Sequence, residues 1–187
     1  MTRQLLLFDR PRRFIAGTVG QPGERAFYLQ VADERRVVSL GLEKRQVAML
    51  ADRMHQLLEE VRGAADSDPA PAPADQDGLE MPIEERFRVG AMGLAWDGDE
   101  GMVVLEAQAP AEEGQDPAAT LLSDEDRDGP DAVRVRMDPQ TARAFVTRAR
   151  RLVAAGRPPC PLCTLPLDPR GHLCPRLNGY RRALPGG

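Results

Sequence analysis

The 187-residue sequence is poor in several residue types on which well-known active sites depend. It contains 2 histidines and 3 cysteines, and aromatic residues make up only 4% of the chain. A Ser-His-Asp triad needs a histidine base beside a nucleophile, and none of the serines lies in a nucleophile-elbow motif. These serines are Ser39, Ser67 and Ser123. The sequence therefore argues against triad chemistry.

Long apolar runs and a distributed set of cysteines are also missing. No run of 18 apolar residues is present, and residues 1–9 are too short for a secretory signal peptide. All three cysteines lie within fifteen residues of one another, so they cannot form a disulfide framework across the chain. We therefore expect a cytoplasmic protein without a membrane association.

Charge is present but unevenly distributed. Lys44 is the only lysine, a bias towards arginine that we attribute to GC-rich coding. The net charge is +3 over residues 1–62, −16 over 63–132 and +9 over 133–187. Two explanations are open, namely an acidic partner such as nucleic acid for the basic part, or neutralisation of that part by the acidic middle of the chain.

Residues 1–63 show the pattern of a β-β-β-α unit. The runs RFIAGTV, AFYLQVA and RRVVSLGL are typical of short strands, and turn-forming sequences separate them. In EKRQVAMLADRMHQLLEEV the apolar residues recur every three or four positions, which predicts an amphipathic helix that ends near Gly63. The next segment, AADSDPAPAPADQDG, has the composition of a flexible linker, which we place at 64–80.

The same order of elements returns in residues 81–156. RFRVGAMGLAW, MVVLEAQA and AVRVRM predict strands, and an acidic loop at 110–130 separates the last two. A second amphipathic helix follows, with Asp138 as its N-cap and Pro139 at its first position.

An alignment of the two halves suggests an internal duplication, with a chance resemblance as the alternative. The residues that align are Arg13 with Arg86, Phe14 with Phe87, Gly17 with Gly90 and Gly20 with Gly93. We therefore predict an α+β fold in which duplicated β-β-β-α units form one antiparallel-sheet core with two helices, followed by a zinc knuckle.

Chemistry-bearing side chains converge only in the last segment, 157–187. Cys160 and Cys163 form a C-x-x-C turn, which directs backbone N–H groups towards the sulfurs, and His172 and Cys174 follow. Three cysteines and one histidine are a typical ligand set for tetrahedral zinc. Four protein ligands close the site, so we predict a structural Zn²⁺ that does not activate water. A redox pair, which would need a βα context, and an accidental cluster of thiols are the alternatives.

Other candidate sites have simpler explanations. His55 lies off the apolar stripe of the first helix, so we expect it to be flanking or exposed. The glycines of residues 17–23 lack a phosphate-loop spacing and join two strands, which favours a hairpin turn. Acidic pairs such as Glu84-Glu85 lack the spacing of a calcium loop and are more typical of a solvated surface.

Two groups of arginines are candidates for contact with an anion or a partner. The first lies around the first glycine turn and the second around the cysteine motif. They are Arg10, Arg12, Arg13 and Arg25, and Arg157, Arg176, Arg181 and Arg182. Because aromatic side chains for base stacking are scarce, we favour a protein partner and keep nucleic acid as the alternative.

Three segments carry a resemblance to a known family. FDRPRRFIAGTVGQPGERAFYLQ, EKRQVAML and GRPPCPLCTLPLDPRGHLCPRLNGYRR resemble actinobacterial proteins grouped as a domain of unknown function. The resemblance covers nearly the whole chain, and CPLC…GHLCPRLNGYRR is its most distinctive part. It implies an actinobacterial cytoplasmic protein without an assigned activity.

Together these patterns predict a non-enzymatic, zinc-containing binding or regulatory protein. The duplicated core would be the scaffold, and the zinc knuckle with its arginines the contact surface. One alternative is an enzyme or binder of an anionic small molecule with a site between the two repeats, and another is a nucleic-acid-binding accessory protein. A polar pocket between the repeats would favour the former, and a salt-dependent affinity for DNA or RNA the latter.

Overall fold

The computed structural model describes residues 3–21, 23–62, 75, 77–112, 121–122, 129–155, 160–163 and 174–176. In these residues, five elements of the first half are followed by five of the second. The first five are β1 (Leu5–Asp9), β2 (Arg13–Val19), β3 (Ala26–Ala32), β4 (Val37–Leu42) and α1 (Lys44–Arg62). The second five are β5 (Glu85–Arg88), β6 (Ala91–Asp97), β7 (Met102–Gln108), β8 (Ala132–Met137) and α2 (Pro139–Ala154). The predicted α+β class with two helices is confirmed.

The strands form two four-stranded sheets. The strand orders are β1-β8-β7-β6 and β2-β3-β4-β5, and neighbours are antiparallel except in the pairs β1–β8 and β4–β5. The first strand of each half is therefore paired in the sheet of the other half. The sequence patterns predict one antiparallel sheet, without β1 and with β5 and β6 as a single strand, because a parallel pairing between distant segments leaves no local pattern.

The run RFRVGAMGLAW contains two strands and a corner. β5 ends at Arg88, and β6 begins at Ala91 in the other sheet. Between them, the N–H of Gly90 donates to the carbonyl of Gln108 at 2.8 Å. A Cβ on Gly90 would lie 2.6 Å from the backbone of Pro110, so the corner requires glycine.

This corner corrects the alignment of the two halves. Arg86 and Phe87 lie on β5, which corresponds in chain order to β1, whereas Arg13 and Phe14 open β2. The matching RF pairs therefore occupy different strands. The topology aligns β2 with β6, since each is the edge strand that pairs antiparallel with a central strand.

Both helices and one face of each sheet share a single hydrophobic core. α1 contributes Val47, Leu50 and Met54 at the predicted spacing, and α2 contributes Phe145, whose ring centroid lies 4.7 Å from that of Phe14. Among the described residues, no helix is both long and apolar enough to cross a membrane.

The helix ends and the first hairpin follow the sequence signals. Asp138 accepts a hydrogen bond from the Thr141 N–H at 2.8 Å, and Pro139 is the first residue of α2. α1 ends at Arg62, next to the predicted stop. The glycine turn joins β2 to β3 as an antiparallel hairpin, and its Gly20 has a φ of 99°. These predictions are confirmed.

The central strand of the first sheet buries a polar side chain on the face opposite the core. Gln30 of β3 is 1% exposed and donates to Ser39 Oγ at 3.1 Å and to the carbonyl of Glu80 at 3.0 Å. The side-chain oxygen of Gln30, Oε1, accepts a hydrogen bond from the Glu80 N–H at 2.8 Å. Residues 77–80 therefore cross the outer face of this sheet just before the chain enters β5.

The second sheet has the corresponding arrangement with charged groups. Glu106 of β7 is fully buried and accepts hydrogen bonds from Arg3, from Gln108 Nε2 at 2.8 Å and from Arg134 Nε at 2.7 Å. The side chain of Arg3 is 2% exposed. Arg3 lies two residues before the start of β1. In both halves, the segment that leads into an exchanged strand is thus fixed to a buried polar group on a central strand.

We predict that Glu106→Ala lowers the free energy of unfolding by about 3–5 kcal/mol, because it leaves the buried guanidinium of Arg3 without its carboxylate. Urea denaturation followed by circular dichroism measures this loss. Glu34→Ala, at an exposed position, should change it by less than about 0.5 kcal/mol. Equal effects of the two substitutions would contradict the assigned role of Glu106.

Candidate metal centre

Three sulfur atoms converge beyond the C-terminus of α2. The Sγ atoms of Cys160, Cys163 and Cys174 lie within 4.8 Å of one another, and those of Cys160 and Cys174 are 4.0 Å apart. These three residues are called the cysteine cluster below. Because a disulfide requires a separation of about 2.05 Å, the cluster consists of thiols. Cys160 and Cys174 are buried, and Cys163 is half-buried.

The spacing of the sulfurs fits a metal ion. A tetrahedral site with metal–sulfur bonds of about 2.3 Å has its sulfurs about 3.8 Å apart. The separation between Cys160 and Cys174 is close to this value, so only a small adjustment would bring the sulfurs onto one ion. The cysteine cluster can therefore hold a metal ion.

Backbone N–H groups favour the thiolate of Cys160. Burial raises the pKa of this thiol, but the N–H groups of Cys163 and Leu162 donate to its sulfur and lower it, as do the side chains of Cys163 and Cys174. The balance leaves the pKa below the ordinary value. The C-x-x-C spacing predicts backbone N–H groups that point at the sulfur, as seen at Cys160. The thiolate is the form that binds metal.

Several predicted site residues lie outside the described residues. These are His172, Arg157, Arg181 and Arg182. The fourth ligand of the metal therefore stays a prediction. Arg176 is described and exposed, two positions after Cys174. His55 is exposed on α1, as expected.

The helix that leads to the cysteine cluster is fixed at its end. Arg25, in the β2–β3 turn, donates from Nη1 to the carbonyl of Ala155 at 2.7 Å. The Ala155 N–H in turn donates to the carbonyl of Arg151 at 2.9 Å. Because the last carbonyls of a helix have no partner within it, Arg25 acts as a cap for α2.

Arg12 and Arg13 are bound to acidic residues of the same chain. Arg13 donates from Nε and Nη2 to the two carboxylate oxygens of Asp75 at 2.5 and 2.9 Å. Arg12 donates from Nη2 to Glu80 at 2.7 Å. Arg10 is exposed, and its backbone N–H donates to the carbonyl of Arg136. Of these three candidates for anion contact, two are therefore paired internally.

A further arginine completes the binding of Asp75. Arg148 of α2 donates from Nε to the carbonyl of Ala16 at 2.7 Å, from Nη2 to that of Asp77 at 2.6 Å, and from Nη1 to Asp75. We call Arg13, Asp75 and Arg148 the Asp75 latch. It joins β2 and α2 to the segment that precedes β5. The hydrogen bond from Arg13 is the main reason that the pKa of Asp75 lies below its ordinary value.

The Asp75 latch differs from the sequence-based prediction, in which Asp75 and Glu80 belong to a flexible linker at 64–80. Residues 64–74 and 76 lie outside the described residues, as do 113–120 and 123–128 of the acidic loop 110–130. One available signal was the change from PAPAPA to DQDGLE, which puts three carboxylates after the proline-rich part. No local sequence pattern indicates that Arg13 and Arg148 bind this acidic segment.

We predict that the latch makes stability depend on pH. Because the pKa of Asp75 is lowered in the folded protein, its contribution is present above about pH 4 and is lost as the pH falls through the folded pKa. Asp75→Asn should lower the free energy of unfolding by about 1–2 kcal/mol at pH 7 and by less at pH 3. Thermal denaturation across this range measures both values.

Asp52→Asn is the matched control, since Asp52 is 70% exposed and pairs with Arg150 at 3.1 Å. Its effect should stay below about 0.5 kcal/mol at either pH. A loss for Asp75→Asn that is the same at pH 3 and pH 7 would contradict the assignment.

Comparison with known proteins identifies the family of the chain. No curated protein and no solved structure matches it. A family model described as "Protein of unknown function (DUF3090)" matches residues 6–174, from β1 to the last residue of the cysteine cluster. Because the match covers most of the chain, this protein belongs to the DUF3090 family, as the resemblance to a domain of unknown function predicts.

Proposed function

We propose that this chain is a non-enzymatic binding or regulatory protein in which a structural zinc ion organises the C-terminal contact surface. The cysteine cluster and His172 would be its ligands. The observation that carries the proposal is the convergence of three sulfurs within 4.8 Å. Thiolates select zinc over hard cations such as Mg²⁺ or Ca²⁺. With His172 as the fourth ligand, no position is left for a reactive water, which supports a structural role.

The rest of the fold supports this role through α2. Arg25 and Arg148 fix α2 to the first sheet, and the cysteine cluster begins five residues after Ala155. Zinc, when bound, would hold residues 160–163 and 174–176 together. A contact surface built in this way would have a defined position relative to the core.

We favour a protein over nucleic acid as the partner, since three of the 11 arginines in residues 133–187 are neutralised internally. Arg134 binds Glu106, Arg136 binds Asp97 and Arg148 binds Asp75. The net charge of that segment is therefore larger than the positive charge that could contact phosphate groups. The same reasoning weakens an anion site at Arg12 and Arg13. Exposed Arg176 remains available beside the cysteine cluster.

We also propose that the protein is cytoplasmic, since three thiols without a disulfide fit a reducing compartment. We further propose an internal duplication, which would account for the repeated element order and for the reciprocal exchange of β1 and β5.

We predict that the purified full-length chain contains one zinc ion per molecule, as measured by inductively coupled plasma mass spectrometry. His172→Ala and Cys160→Ser should each lower the zinc content by at least about tenfold at a fixed concentration of chelator, because each removes a ligand. His55→Ala is the matched control, since it removes the other histidine, and it should retain zinc.

The far-UV circular dichroism of these variants should stay close to that of the unchanged chain, because the hydrophobic core cluster contains none of the three cysteines. If the purified chain contains no metal and does not bind added zinc, the proposed zinc site is wrong. Full retention of zinc by His172→Ala would exclude this histidine as a ligand.

The binding role is tested by affinity purification from the native host, with the unchanged chain and Cys160→Ser as parallel baits. We expect a protein that the unchanged chain retains and the variant loses, because the variant lacks the organised surface. Recovery of nucleic acid that is released steeply by salt would instead support the nucleic-acid alternative. Turnover of a co-purified small molecule would contradict the non-enzymatic assignment.

A further inference from the structure

The cysteine cluster has one sulfur near the surface and two that are more deeply buried. Cys163 is half-buried, whereas Cys160 and Cys174 are only 4% and 3% exposed. The two residues between Cys160 and Cys163 are exposed, so this turn faces solvent. Because the oxidation of a thiol depends on its exposure, Cys163 is the cysteine that a small oxidant in solution reaches first.

Cys160 is placed to react with an oxidised Cys163. Its sulfur is in contact with the side chains of both Cys163 and Cys174, and all three sulfurs lie within 4.8 Å of one another. A disulfide has an S–S length of about 2.05 Å, so closing one requires a sulfur movement of less than about 3 Å. C-x-x-C turns form reversible disulfides in thiol–disulfide oxidoreductases, which shows that this spacing permits the bond.

A neighbouring thiol decides whether the oxidation of a cysteine is reversible. A sulfenic acid without such a neighbour is oxidised further to sulfinic acid, which is irreversible for most proteins. A nearby thiol instead converts the sulfenic acid into a disulfide, which cellular reductants open again. The cysteine cluster holds all the cysteines of the chain, so the accessible thiol and its neighbours occur together.

We propose that the cysteine cluster is a modification site, at which a peroxide joins Cys163 to Cys160 and thereby releases the zinc ion. The release of zinc rests on the metal site proposed above, whereas the disulfide requires only the thiols. The disulfide removes two of the four proposed ligands, because a sulfur in a disulfide is no longer the thiolate that binds metal.

The reaction balances with hydrogen peroxide as the oxidant. The thiolate of Cys163 attacks one oxygen atom, the O–O bond breaks and hydroxide leaves, so that Cys163 becomes a sulfenic acid. The thiolate of Cys160 then attacks the sulfur of Cys163, the S–O bond breaks and a second hydroxide leaves. The two thiols have lost two electrons and two protons, and the peroxide has become two water molecules.

The position of this disulfide determines its effect on the contact surface. The bond lies within residues 160–163 and makes no link to Cys174. Without zinc, residues 174–176 are then no longer held to residues 160–163. Oxidation would therefore disperse the contact surface and reduction would rebuild it, which fits a reducing compartment in which disulfides are transient.

Peroxide treatment of the zinc-loaded full-length chain tests the inference. A chelating dye reports the release of zinc, and mass spectrometry locates the disulfide after alkylation of the free thiols and digestion with trypsin. Cleavage after Arg151 and Arg170 places Cys160 and Cys163 in one peptide and Cys174 in the next. We expect the first peptide to lose the mass of two hydrogen atoms, Cys174 to be alkylated and most of the zinc to be released. Dithiothreitol should reverse the disulfide and restore zinc binding.

Two variants, compared without zinc, separate the accessible thiol from the buried ones. Cys174→Ser retains both partners and should form the same disulfide. Cys163→Ser lacks the accessible thiol, so its two remaining thiols should disappear at least about tenfold more slowly in peroxide than those of Cys174→Ser. The hydrophobic core cluster contains none of the cysteines, so both variants should keep the far-UV circular dichroism of the unchanged chain.

Three results would overturn the inference. They are zinc and thiols that stay unchanged in an excess of peroxide that oxidises free cysteine, a main product in which Cys174 is cross-linked to the preceding peptide, and a Cys163 that reaches sulfinic acid without a disulfide. In the first case, the bound zinc would still support the proposed metal site. Conversely, a disulfide formed in a chain that never binds zinc would contradict the metal site and the release of zinc, and would leave the modification of the thiols.

Discussion

Neither sheet is complete without a strand from the other half of the chain, and the rest of the fold depends on this exchange. β1 closes the sheet of the second half, and β5 closes that of the first. Each entering segment also supplies partners for a buried polar side chain, Gln30 in one sheet and Glu106 in the other. A half that folded alone would lose some of these partners, Glu80 for Gln30 or Arg3 for Glu106, and each loss costs free energy of folding. We therefore expect both halves to fold as one cooperative unit.

The same exchange also bears on the position of α2, the helix that precedes the cysteine cluster in the chain. The segment that enters β5 carries Asp75, which Arg13 and Arg148 bind, and Arg148 lies on α2. The position of α2 is thus linked to the pairing of a strand in the first sheet. At its C-terminus, Arg25 holds the same helix to the β2–β3 turn. The cysteine cluster therefore extends from an element that two arginines orient.

Features that leave a local pattern could be predicted from the sequence. Both helices, the Asp138 cap and the β2–β3 hairpin follow from apolar periodicity and turn residues, and the cysteine spacing predicts the convergence of three sulfurs. The exchanged strands could not be predicted, because β1 and β5 are short and pair in parallel with distant strands. Glu106 illustrates the same limit. Alternation along β7 predicts that Glu106 leaves the core, but its buried pairing with Arg3, 103 residues earlier in the chain, leaves no local pattern.

The pairing of β1 with β8 also has a consequence for the order of events during synthesis. Leu5 pairs with Ala132, and the Gln4 N–H donates to Asp131 at 2.9 Å, so β1 must wait for a strand that is synthesised more than a hundred residues later. Until then the apolar run LLLF has no sheet to join. During this interval its apolar side chains are exposed, as in the folding intermediates that are prone to aggregation. Translation of residues 132–137 therefore marks the earliest moment at which the second sheet can close.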